Sequence, residues 1–186
     1  MMEILTRSGD MALWFDIVHD AEASCAISLQ TEIESYLVFL LMRHLKRTDL
    51  ASQILAKSFL EAMQASRHLR TETLRSVGDQ CLLFAGLYPE VAKKRHVRPG
   101  YFVDLGQAAY SAGSLDGRDL YAALCREFVA MMDVLQSVRH PDGQIADLLP
   151  VDAFELWSDT GSKRALAQLR LYTNAIPVSP KRGREI

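Results

Sequence analysis

Apolar residues recur along this chain at steps of three and four, and no stretch alternates like a half-buried strand. Helices are therefore predicted throughout. Leu13, Trp14, Ile17 and Val18 share a face of a first helix that Asp10 is placed to cap. Thr31 and Glu34 have the spacing of a capping box and start a second helix over about 31–45. Its middle, from Val38 to Met42, has no polar face, so it is expected to be covered on most sides. A third helix over 49–64 carries a polar stripe of Asp49, Gln53, Lys57, Glu61 and Gln64. Opposite that stripe lie Leu50, Ile54, Leu55, Phe59, Leu60 and Met63.

A fourth helix is predicted over 66–87, with Pro89 disfavouring continuation at Tyr88, and a fifth over 99–112, with Pro99 in its first turn. The sixth, over 118–139, bears a seam of Tyr121, Leu124, Phe128, Met131, Leu135 and Val138, read as core rather than as a dimer contact. His140, Pro141, Asp142 and Gly143 stop it. Asp152 and Glu155 suggest a second capping box before a short helix, and Ser162 caps a last helix over about 162–172. The fold class that follows is all-α: a single-domain irregular helical bundle of about six to eight helices over 1–173, with 174–186 as a flexible tail.

Composition narrows the function classes. With 186 residues, 49% of them hydrophobic and 24% charged, the chain has material for one ordinary core. A net charge of -2 supplies no bulk attraction to nucleic acid or anionic membranes. The greasiest run, Tyr36 to Met42, falls well short of the about 20 residues that span a bilayer, and the N-terminal residues lack a secretory pattern. Cys25, Cys81 and Cys125 are far apart and form no C-x-x-C, so free thiols in a reducing cytoplasm are expected.

Catalytic signatures are missing: there is no Glu-x-x-His, no G-x-S-x-G, and no glycine-rich loop after a strand. No catalytic residue, metal or cofactor is implied. Asp16 with His19, and His68 with Glu72, read as solvated pairs, while His44 and His140 close helices whose dipoles suit an imidazolium. The basic run Lys93, Lys94, Arg95 and Arg98 precedes a helix start near Gly100 and Tyr101, which makes it a candidate anion site; a solvated connector is the favoured reading.

The densest segment is 74–110. Gly78, Ala85 and Gly86 share one helical face, and Gly106, Ala109 and Gly113 share another. Glycine inside a helix costs about 1 kcal/mol against alanine, so a close crossing of these two helices is expected. Arg75, Asp79, Tyr101, Asp104 and Tyr110 could then converge, as a satisfied polar network or, less favoured, as a ligand site.

Three runs also carry a resemblance: YLVFLLMR at 36–43, LRSVGDQCLLFAGLYPE at 74–90 and YFVDLGQAAY at 101–110. Together they resemble an uncharacterised family of small bacterial all-helical proteins of unassigned function. The resemblance implies a cytosolic bacterial protein and brings no activity, cofactor or site. The sequence thus favours a non-catalytic helical binding or regulatory protein over an enzyme, with a protein partner or a second copy as counterpart. The alternative is a small-molecule binder or enzyme whose pocket lies between the 66–87 and 99–112 helices.

Overall fold

The three-and-four periodicity is realised as nine helices, and no strand, among the residues described by a computed structural model: 2–44, 55–89, 94, 96–98, 100–114, 117, 119–139 and 149–173. They are α1 (Met2–Cys25), α2 (Thr31–His44), α3 (Leu55–Gln64), α4 (Arg67–Gly86), α5 (Tyr101–Gly113), α6 (Leu120–Arg126), α7 (Phe128–Arg139), α8 (Pro150–Thr160) and α9 (Lys163–Tyr172). They form a single helical domain. No helix among the described residues is long and apolar enough to cross a membrane. The 174–186 tail, Asp49, Leu50, Ile54 and the turn from His140 lie outside the described residues.

Several boundaries differ from expectation for local reasons. Asp10 lies inside α1 rather than capping it, because the helix already runs from Met2. Gln30 takes the cap place expected of Thr31, its carbonyl accepting from the Ile33 and Glu34 N–H groups at 2.8 and 2.9 Å. The predicted helix over 118–139 divides at Glu127 (φ -89°, ψ 6°), and Asp119 caps the first part by accepting from the Ala122 N–H. The Asp152 and Glu155 pair does not start α8. Leu149 occupies the cap position without a side-chain cap bond, and Pro150 leads the helix, its fixed φ suiting that place. Ser162 does cap α9, accepting from the Ala165 N–H at 3.0 Å.

At the centre of the bundle α4 packs most closely on α5 and also contacts α3 and α7. Its close approaches depend on the glycines. A Cβ at Gly78 would lie 2.5 Å from the Tyr110 ring, and one at Gly86 would lie 2.5 Å from the Leu135 Cβ. From α5, a Cβ at Gly106 would meet the Phe128 ring at 2.4 Å. Leu124, Phe128, Met131 and Leu135 are fully buried, so the apolar seam is spent inside the core. Large exposed apolar side chains lie elsewhere: Phe39 on α2, and Leu149, Val151, Leu171 and Tyr172 around α8 and α9. Phe39, 53% exposed, shows that α2 is left open on one side.

A buried acid pins the C-terminal hairpin. Asp133 is only 1% exposed within the apolar run of α7. Its Oδ1 accepts from the Ser162 hydroxyl at 2.5 Å, and its Oδ2 accepts from the Lys163 and Arg164 N–H groups at 2.9 and 3.2 Å. An acid from one helix thereby satisfies the exposed donors at the start of another, where the helix dipole favours negative charge. Burial pushes this carboxyl above the ordinary range, and the Ser162 hydroxyl and the two N–H donors oppose the push. Arg164 donates to Gln136 at 3.3 Å and Gln136 donates to the Ala85 carbonyl at 3.1 Å, which ties α9, α7 and α4 together.

Candidate functional site

Helix α4 has two stripes on opposite sides. Leu74, Val77, Gly78, Cys81, Leu82 and Ala85 face the core. Glu72, Arg75, Ser76, Asp79, Gln80 and Leu83 recur at steps of three, one, three, one and three, which places them along the other side. This second stripe looks across at α2. Few backbone positions of the two helices approach each other, and long side chains span the interval.

Asp79 is the hub of that span. Its Oδ1 accepts from the Tyr36 hydroxyl at 2.5 Å and from the Tyr110 hydroxyl at 2.8 Å. Its Oδ2 accepts from Arg43 Nη2 at 3.0 Å, and Arg75 Nε stands 3.9 Å away. Arg75 Nε also donates to the Tyr36 hydroxyl oxygen at 3.2 Å, and its guanidinium lies 5.3 Å from the centre of that ring. Asp79 is buried, and burial pushes its carboxyl above the ordinary carboxylate range; both phenols and both guanidiniums pull it back. Burial, reinforced by the Asp79 charge, pushes both phenols well above their ordinary value, so they remain protonated donors. Every group on Asp79 is a donor and both oxygens are engaged. The carboxylate acts as a platform that fixes Tyr36, Arg43 and Tyr110 directly, with Arg75 held beside it.

In front of the platform lies a groove of ≈ 240 Å³, open to solvent and lined by residues including Leu40, Arg43, His44, Arg75 and Leu83. It lies between α2 and α4. The α4–α5 contact, where a pocket was the alternative expectation, is occupied by Tyr110 against Gly78 and by Phe128 against Gly106. Arg75, Asp79 and Tyr110 do come together. Tyr101 does not join them; its ring packs on Phe102 at 5.2 Å. Asp104 is exposed and accepts from Arg98 at 3.1 Å, which commits Arg98 to an ion pair. Of the remaining anion candidates, Lys94 is exposed, while Lys93 and Arg95 lie outside the described residues. The start of α5 faces an acid, because Asp159 Oδ2 would be 3.3 Å from a Cβ at Gly100.

Sequence reasoning missed the two α2 partners of Asp79: Arg43, which lines the groove, and Tyr36, which lies behind it. Their signal was two polar heads, seven apart, at either end of the apolar run 37–42. His44 also departs from expectation. It is buried, its Nε2 lies 3.2 Å from the Tyr88 hydroxyl, and burial holds its pKa below the ordinary 6.5. The fold therefore favours neutral imidazole over the imidazolium suggested by the helix end. Below 6.5 the unfolded chain binds the extra proton first, so the His44 contribution is present above that value and is lost as pH falls through the folded pKa. Urea midpoints measured from about pH 7.5 to about pH 5 should fall more steeply for the native chain than for His44→Gln. Equal slopes would show that His44 is not responsible.

Among the described residues, the group able to hold a metal ion is His19, Glu22 and Glu34, whose ligand atoms lie within 4.8 Å of one another. An imidazole with two carboxylates suits a divalent ion. Glu22 also has a structural task, since its Oε1 accepts from the Leu29 N–H at 2.6 Å in the turn between α1 and α2. The side chain of His68 is outside the described residues. The three cysteines are free; burial raises each thiol, Cys81 most, which disfavours the reactive thiolate. No family model matches the chain, and no curated protein or solved structure is significantly similar to it.

Proposed function

We propose that this chain is a non-catalytic helical binding or regulatory protein, and that the α2–α4 groove is its contact site. The Asp79 hub carries the reading. It fixes Arg43 and Arg75 at the groove from behind, with both of its oxygens already holding donors. A volume of ≈ 240 Å³ lies below the roughly 300–1,000 Å³ of drug-sized sites, so the occupant is a small ligand or a single side chain of a partner. A cytosolic location accords with three free thiols, which persist in reducing compartments.

A thermal-shift screen of small carboxylates, phosphates, amines and sugars tests this, run on the native chain and on Ser76→Trp. Ser76 is exposed at the groove, so its replacement blocks the space without entering the core. A ligand at 100 times its Kd should stabilise the native chain by about 2.7 kcal/mol, and the variant should lose that gain. Equal stabilisation of both proteins would place binding elsewhere. Chemical turnover of the bound ligand would defeat the non-catalytic assignment.

A further inference from the structure

We infer that the groove recognises an oxyanion, the phosphate or carboxylate of a small ligand, between Arg43 and Arg75; the inference rests on the groove being the contact site. A guanidinium carries five N–H donors in a planar fork suited to two oxygens of one anion. Among the described residues, Arg43 directs Nη2 at Asp79, and Arg75 directs Nε at the Tyr36 hydroxyl and, at 3.9 Å, towards Asp79. The other donors of both side chains are uncommitted to these partners, and the side chains remain 44% and 40% exposed. Both arginines line the same groove.

Preorganisation distinguishes this pair from ordinary surface arginines. The buried Asp79 holds one guanidinium from behind, and the Tyr36 ring and hydroxyl hold the other. Much of the side-chain ordering that an anion would otherwise have to impose is already present in the fold. Opposing charge in the groove comes from two acids. Asp79 is buried and shared among its donors, so its charge is turned towards them. Glu72 is exposed, one turn before Arg75 and Ser76, and repels an incoming anion. His44, held towards its neutral form, adds no charge at neutral pH. Glu72 thus opposes the binding that the arginines promote, and the two effects are separable by mutation.

The test is a titration of the full chain with inorganic phosphate, and separately with acetate, against chloride at constant ionic strength. The Nε–H resonances of the arginines are followed by NMR. Saturable shifts at Arg43 and Arg75, with none at Arg126, are expected for at least one anion. Glu72→Gln should tighten binding, and Arg75→Gln should weaken it about tenfold or more, the size of one charge-assisted hydrogen bond. If an arginine variant fails to fold, the native shifts and Glu72→Gln decide the matter. Saturation by neither anion, or affinity unchanged in both Arg43→Gln and Arg75→Gln, overturns the assignment. Should neither anion bind while Ser76→Trp still blocks a neutral ligand, the oxyanion inference falls and the groove stands. Should Ser76→Trp block nothing that binds, the groove itself falls.

Discussion

Replacing Asp79 by alanine is expected to cost about 2–5 kcal/mol of stability, set mainly by the two phenols it leaves orphaned. The Tyr110 hydroxyl is buried in a fully covered side chain and would lose its acceptor, at about 1–3 kcal/mol. Tyr36 would lose the acceptor for its proton as well, since Arg75 only donates to it. The guanidiniums are partly exposed and can turn to water, so they contribute little to the loss. Adding Tyr36→Phe and Tyr110→Phe to the alanine variant should recover most of the loss, because the orphaned hydroxyls go too. Urea unfolding measures both steps. A loss below about 1 kcal/mol for Asp79→Ala, or no recovery in the triple variant, would show that the hub holds nothing together.

Gly106→Ala and Gly113→Ala should shift stability in opposite directions, although both place the same methyl group on α5. Alanine gains about 1 kcal/mol over glycine in a helix interior. At Gly113 the new Cβ would meet Leu74 and Tyr121 at 3.8 Å, an ordinary contact, so some of that gain should survive at this last helical position. At Gly106 it would lie 2.4 Å from the Phe128 ring and 2.9 Å from the Cys81 Cβ. Phe128 is fully buried and cannot retreat to solvent, and the Cys81 Cβ moves only if α4 moves. Overpacking of this kind costs about 1–3 kcal/mol, and a larger residue at 106 should abolish folding. Thermal midpoints that rise in both variants would mean that the α4–α5 crossing is looser than these distances indicate.

The helical class and most element positions were legible in the pattern, because burial of one stripe per helix leaves a mark at steps of three and four. The close crossing was legible too: Gly78 and Gly106 are poor choices for helices unless something must come near. Other parts left weaker marks. Glu127 is an ordinary residue with no turn chemistry, so the break before Phe128 is a tertiary adjustment. Asp133, one acid in an apolar run, was not singled out, since its partners lie about thirty residues on, at a helix start. The Asp79 hub was half visible. Arg75, Asp79 and Tyr110 were marked by sharing the glycine segment. Tyr36 and Arg43 sat on a helix read as covered on most sides, and only the third dimension sets them opposite Asp79.

The opposed stripes of α4 have a consequence for how this protein can diversify. Substitutions at Gly78, Cys81, Leu82 or Ala85 disturb the helix crossing and the core, and are expected to be eliminated with the folded state. Glu72, Ser76 and Gln80 interleave with them along the same twenty residues but point away from that packing. Changes there alter the size and charge of the groove while the scaffold stays put. Under the proposed binding role, the contact surface can thus change side chain by side chain while the folded scaffold is kept.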